Sequence, residues 1–154
     1  MLAAMRQQPA TTRRRVLRAA GLLLGWLAWR AGAQTLDAAP HRFRRWHDAA
    51  VRMRQQALSW GDQPYGAVLV LGDDLLGEGP SRVVQKSDPR AHAEREAIED
   101  AQRRLGRVGQ PLPAGTVLVS TSRPCAACQA AAAQAGVSRL VFGADLQDGG
   151  APRP

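Results

Sequence analysis

Cysteine is scarce in this sequence of 154 residues, and so are long hydrophobic runs. Only two cysteines occur, Cys125 and Cys128, so at most one disulfide can form. The length suits one domain, which can bury a core without disulfides. In an exported protein the first expectation for such a pair is a disulfide, and a two-residue gap suits a redox disulfide or a metal site. The rest of the sequence decides between these readings.

The most apolar run, Ala19–Trp29, is too short to cross a bilayer as a helix, which takes roughly 20 residues. A basic segment containing Arg13–Arg15 precedes the run, and the small residues Ala31–Ala33 follow it. This order predicts a signal peptide over residues 1–33, cleaved before Gln34. The paired arginines resemble a twin-arginine signal, which predicts export to the periplasm or beyond. The alternatives are an N-terminal membrane anchor or a wrongly assigned start.

Acidic side chains are absent from residues 1–33, although the whole chain has 13 of them. This segment therefore contributes most of the formal net charge of +8, and the rest of the chain is close to neutral. The basic excess belongs to the leader, so the sequence gives no strong sign of nucleic-acid binding.

Internal repeats are also absent, and we expect one domain over residues 34–148, followed by a disordered tail over 149–154. Apolar periodicity and turn residues predict the element order α-β-β-α-β-α-β. Such an order favours an α/β fold with helices on both faces of a mixed sheet. The expected elements are a helix over Phe43–Trp60, a hairpin of Tyr65–Leu71 and Leu75–Glu78, a helix from Asp88 to Leu105, a strand over Thr116–Ser120, a helix from Pro124 to Ala135 and a last strand over Leu140–Phe142.

Two clusters of chemically reactive residues lie at the predicted starts of two helices. The first contains His92 and Glu94, and the second is Pro124-Cys125-Ala126-Ala127-Cys128. One histidine and two cysteines supply three ligands for zinc and leave a fourth position open, as in catalytic zinc sites. A carboxylate two residues from the histidine lies near the metal without binding it, where it can move protons. The combination H-x-E followed by P-C-x-x-C is the signature of zinc deaminases, so we interpret the cysteines as ligands.

With these motifs the sequence resembles the cytidine/deoxycytidylate deaminase superfamily. The resemblance is to the branch that holds guanine deaminases, fungal-type cytosine deaminases and tRNA adenosine deaminases. It covers nearly the whole predicted domain, in order. The matching segments are Pro64–Val70, Asp88–Glu94, Pro124–Cys128 and Arg139–Ala144.

The resemblance implies a three-layer αβα sandwich with a mixed sheet of four to five strands. It implies that His92, Cys125 and Cys128 bind one Zn2+ and that Glu94 transfers protons. The backbone of Gly66–Ala67 is then expected to lie against the substrate. The implied activity is hydrolytic removal of an exocyclic amine, as ammonia, from a nucleobase or nucleoside.

Three departures from the family pattern bear on the substrate. Ser81 stands where the family usually has an asparagine that hydrogen-bonds the substrate, and it offers one hydroxyl in place of an amide. Arg123 stands where a glutamate commonly precedes Pro-Cys. The chain is C-terminally short, since relatives usually continue well beyond Asp145 with elements that shape the pocket. A homodimer would be one way to complete such a pocket.

Three alternatives to this deaminase remain open at this point. A zinc-stabilised binding protein without turnover would explain the departures. A tRNA adenosine deaminase-like editor would require that the leader is retained. A thiol-disulfide oxidoreductase would use Cys125 and Cys128 but would leave His92 and Glu94 without a role.

Overall fold

The computed structural model describes residues 42–154, so the predicted signal peptide lies outside the described residues. Helix α1 is described over residues 42–59, in agreement with the predicted first helix. None of the helices within the described range is both long and apolar enough to cross a membrane. The elements that follow are β1 (Gly66–Leu71), β2 (Asp74–Pro80), α2 (Ala93–Arg104), β3 (Val117–Ser120), α3 (Ala126–Gln134), β4 (Arg139–Phe142) and β5 (Gln147–Gly150).

The five strands form one mixed sheet in the order β2-β1-β3-β4-β5. Strand β1 pairs antiparallel with both β2 and β3, β3 pairs parallel with β4, and β4 pairs antiparallel with β5. The parallel pair is joined through α3, as a crossover connection requires. An α/β fold with a mixed sheet of four to five strands is therefore confirmed.

Side chains alternate between the two faces of the sheet and divide the core in two. Val68 and Val70 of β1 pack in one cluster with Phe43 and Trp46 of α1. Leu69 lies on the other face, in a cluster with the alanines of α2 and α3. Because successive residues of a strand point to opposite faces, one short apolar strand serves both layers. The helices thus sit on both faces, which gives the expected αβα order.

Glycines let the helices approach the sheet closely at two places. A Cβ atom on Gly66 would overlap the backbone of α1, at Ala50 and Arg54. A Cβ atom on Gly79 would overlap the backbone of α2, at Ala93 and Ala97. These contacts set the distance of each helix from its face of the sheet. The contact at Gly79 also sets the position of the start of α2.

Two details of the sequence prediction are wrong. Helix α2 starts at Ala93 and not at Asp88, because the Asp88 carboxylate accepts the backbone N–H of Arg90 at 2.9 Å and forms a local turn instead. The predicted disordered tail includes Gly149 and Gly150, but both belong to β5. This strand is defined by backbone pairing with β4 and has four exposed residues, so it gives no hydrophobic signal.

Candidate metal centre and active site

His92 and Cys125 occupy equivalent places in the fold. Each is the N-cap residue of a helix, His92 of α2 and Cys125 of α3. Both have extended backbone angles, and neither side chain makes a capping hydrogen bond. The imidazole of His92 and the thiol of Cys125 are therefore both available to bind a common metal ion. The second cysteine, Cys128, lies in the first turn of α3 and is buried.

The three side chains converge on one point. The Nδ1 atom of His92 lies 3.5 Å from the Sγ atom of Cys128 and 3.7 Å from that of Cys125. All three ligand atoms lie within 4.8 Å of one another. A tetrahedral zinc with ordinary Zn–N and Zn–S bonds places nitrogen and sulfur about 3.6 Å apart. The donor set and its spacing therefore fit one Zn2+, which confirms the cofactor expected from the sequence.

Glu94 lies in the first turn of α2, beside the three ligands, and is buried. Burial raises the pKa of its carboxyl group above the usual range, and this outweighs hydrogen bonds from its own amide and the Cys128 side chain. A carboxyl group with a raised pKa keeps its proton at higher pH than a free carboxyl group does, so it can donate a proton as well as accept one. The arrangement suits a proton carrier next to a metal site.

The Cys128 thiol is also affected by its surroundings. Burial and the neighbouring Glu94 carboxylate both raise the pKa of this thiol, against the effect expected from the helix N-terminus. Zinc binds the thiolate, so binding would displace the thiol proton and reverse this shift.

Gly66 and Ala67, predicted to face the substrate, lie at the first positions of β1. The carbonyl oxygen of Gly66 accepts the N–H of Thr121 at 2.9 Å, and Ala67 pairs with Ser120. They thus lie next to the end of β3, from which the chain continues to the cysteines. Their contact with a substrate stays a prediction.

Ser81 directly follows β2 and is fully buried. Its hydroxyl group donates a hydrogen bond of 2.9 Å to the Oδ1 atom of Asp62. This bond uses the only proton of the hydroxyl group, so any further partner of Ser81 must be a donor. Asp62 lies in the turn after α1, and nothing in the local sequence marks it as the partner of Ser81.

Arg123 is exposed, and its guanidinium lies over the ring of Phe142, with Cζ 5.8 Å from the ring centroid. The stack holds the guanidinium against the end of β4. Arg123, which precedes the ligand Cys125 by two residues, is thus in contact with an aromatic ring of β4.

Together, the fold and the site define a zinc-binding αβα protein with a buried carboxyl group beside the metal ligands. The family model of the cytidine and deoxycytidylate deaminase zinc-binding region matches residues 41–144. The chain belongs to this family.

Several known proteins are similar to the chain. A tRNA-specific adenosine deaminase of Buchnera aphidicola subsp. Schizaphis graminum is 33% identical over 103 residues, which cover 67% of this chain and 66% of that protein. Another, from Agrobacterium fabrum, is 39% identical over 88 residues, with 57% and 56% covered. The chain thus spans less than two thirds of the length of these relatives.

Two solved structures share the fold. One comes from a study of A-to-I editing by tRNA:A34 deaminases and aligns with a TM-score of 0.59 at 33% identity, covering 64% of this chain and 70% of that chain. The other is guanine deaminase from Bacillus subtilis, with a TM-score of 0.57, 32% identity, and 65% and 62% covered. Both belong to the branch that the sequence motifs predict.

Proposed function

We propose that this protein is a zinc-dependent hydrolytic deaminase that removes the exocyclic amine of a nucleobase or nucleoside as ammonia. One observation carries the proposal. His92, Cys125 and Cys128 converge at zinc-binding distances, with the buried carboxyl group of Glu94 beside them. The family and its deaminase relatives support the same activity.

A zinc ion held by His92, Cys125 and Cys128 would supply Lewis acidity and would make a water molecule acidic enough to attack the amine-bearing ring carbon. Glu94 handles the protons of this reaction. It accepts one proton from the attacking water and transfers it to a ring nitrogen. It then accepts the second proton of the same oxygen and gives it to the amine as the C–N bond breaks. Water is consumed, ammonia leaves, and the ring carbon becomes a carbonyl. The raised pKa of Glu94 suits both directions of transfer.

The geometry argues against an oxidoreductase that uses the two cysteines. Both thiols are free, and each sulfur lies within 3.7 Å of the same imidazole nitrogen. A thiol pair working by disulfide exchange has no need of a shared histidine or of a buried carboxyl group. Three residues that bind one metal ion, in contrast, must bring both sulfur atoms close to the imidazole nitrogen, as they are here.

A second candidate function is editing of tRNA adenosine. The relatives favour it, because several of those found are tRNA-specific adenosine deaminases. The predicted export of the chain argues against it, since tRNA is a cytosolic substrate. A zinc-stabilised protein without turnover is a third candidate, and the diversion of the Ser81 hydroxyl to Asp62 is the observation that favours it.

The test is to purify the full chain and measure zinc content and ammonia release with a panel of bases, nucleosides and an anticodon stem-loop RNA. We expect one zinc per chain and Glu94-dependent ammonia release from a base or nucleoside. Release from the RNA alone would identify an editor. Zinc without ammonia from any substrate would overturn the catalytic proposal.

The predicted export is tested separately, by fractionating cells that express the full chain. We expect a shortened product outside the cytoplasm that starts near Gln34, and a change of Arg13 and Arg14 to lysine should retain it inside. A full-length cytoplasmic product would favour the editor.

A further inference from the structure

Asp62 is a buried carboxylate with four hydrogen-bond donors from three parts of the chain. It is 6% exposed. Its Oδ1 atom accepts the N–H of Gln63 at 2.7 Å and the hydroxyl of Ser81 at 2.9 Å. Its Oδ2 atom accepts the N–H groups of Val84 and Gln85, each at 2.9 Å. The carboxylate thus joins the turn after α1 to the end of β2 and to the loop that follows.

That loop, residues 82–91, leads directly to the metal ligand His92. A hydrogen bond of 2.9 Å from the N–H of Arg82 to the carbonyl of Ala91 joins its two ends. Its central residues 84–87 are exposed, so the loop has little apolar burial there to hold it. Its middle is held by Asp62, and by Lys86, whose ammonium group donates to Glu96 at 2.6 Å.

We propose that Asp62 is a positioning residue, which preorganises the His92 side of the metal centre by fixing loop 82–91. The inference rests on the proposed zinc site. A carboxylate is suited to this task because it accepts all four bonds at once, whereas an asparagine has one accepting oxygen. If the loop is disordered before zinc binds, binding must order it. The lost conformational entropy then makes the binding free energy less favourable.

Asp62 keeps its charge in this environment. Burial by itself would raise the pKa of the carboxyl group, but the bonds from Gln85, Gln63, Ser81 and Val84 together outweigh burial and lower the pKa. The four bonds are therefore charge-assisted, which makes them stronger than bonds between neutral groups.

The test compares zinc affinity, by chelator competition, in the full chain and in the variants Asp62→Ala, Asp62→Asn and Ser81→Ala. The matched control is Thr116→Val, which removes a buried hydrogen bond of 2.6 Å to the carbonyl of Pro113, at the other end of the sheet. Substitution with Co2+ gives a second readout, because its absorption spectrum reports the ligand geometry.

We expect zinc affinity to fall about tenfold in Asp62→Ala, the low end for residues that orient metal ligands. Asp62→Asn should fall less and Ser81→Ala least, with Thr116→Val unchanged. If Asp62→Ala does not fold, Asp62→Asn decides. Unchanged zinc affinity and Co2+ spectrum in the Asp62 variants would overturn the inference, as would an equal loss in Thr116→Val.

This outcome is separate from that of the proposed function, since neither readout depends on turnover. Asp62-dependent zinc binding without ammonia release would refute the deaminase and support the positioning role. Ammonia release together with a zinc affinity that does not depend on Asp62 would support the deaminase and refute the positioning role.

Discussion

The two sides of the candidate site are built in different ways. On the metal side, His92 and Cys125 are the N-cap residues of two helices, so each ligand is placed by the backbone of its own helix start. On the loop side, Ser81 is held by Asp62, which is 19 residues away in sequence. The metal ligands thus lie in short local motifs, whereas the position of Ser81 depends on a hydrogen bond to a carboxylate that is distant in sequence.

The largest effect is expected for the metal side, on changing Cys128 to Ala. The variant should lose bound zinc and all ammonia release, because two protein ligands fall short of the three that hold a catalytic zinc ion. Zinc content by atomic spectroscopy and an ammonia assay measure this. Gln134→Ala, at the end of the same helix, is the control and should keep both. A Cys128→Ala protein with full zinc would show that the three residues are not the ligands.

Glu94→Gln should separate chemistry from metal binding. We expect ammonia release to fall by about 10² to 10⁴, the usual contribution of a general acid-base group, with zinc content unchanged. Glu99→Gln, at an exposed glutamate of the same helix, is the matched control and should retain activity. Equal activity in the two variants would remove Glu94 from the mechanism.

Stability gives a second readout of the same variant. Because burial raises the pKa of Glu94, the ionised carboxylate opposes folding at pH values above its ordinary range. The zinc-free Glu94→Gln protein should therefore be at least as stable as the zinc-free wild type at pH 7 in urea denaturation. A clear loss of stability would mean that the ionised carboxylate is stabilising in the folded state.

Gly79→Ala tests how the start of α2 is placed. The added Cβ atom would overlap the Ala93 carbonyl and the Ala97 amide, so the helix must move. We expect the free energy of unfolding to fall by about 3 kcal/mol, measured in urea. Gly72→Ala meets no atom but has a φ of 58°, and it should lose only about 1–2 kcal/mol. Equal losses in both variants would argue against close packing at Gly79.

The smallest effect concerns the loop side and is seen with pH. The folded protein lowers the pKa of Asp62 below its ordinary value of 3.8. The carboxylate therefore contributes stability that is present above that value and is lost as the pH falls through the lower, folded pKa. Zinc-free wild type should exceed Asp62→Asn in stability at pH 6, and the difference should shrink in acid. Asp48→Asn, at an exposed aspartate of α1, is the control. A difference that persists unchanged in acid would contradict the charge-assisted role of Asp62.

The sequence by itself determined the metal side of this protein. Apolar periodicity and turn residues predicted the helices and the first four strands, because these patterns reflect which face of each element is buried. The motifs around His92 and Cys125 predicted the ligands, since zinc requires those donors near one another. The residue types and their spacing within each motif are local, so they can be inferred from a few neighbouring residues. His92 and Cys125 are 33 positions apart, and the packing of the two helix starts brings them together.

Only the tertiary structure decided the rest. Strand β5 forms because its backbone pairs with β4, and its exposed residues carry no pattern that predicts such pairing. The start of α2 at Ala93 has a local cause as well, because the Asp88 carboxylate forms a turn with the N–H of Arg90 that competes with the helix. The bond from Ser81 to Asp62 joins distant segments, and the pKa of Glu94 follows from its burial. Burial and long-range hydrogen bonds arise when the whole chain packs, so a local stretch of sequence does not contain them.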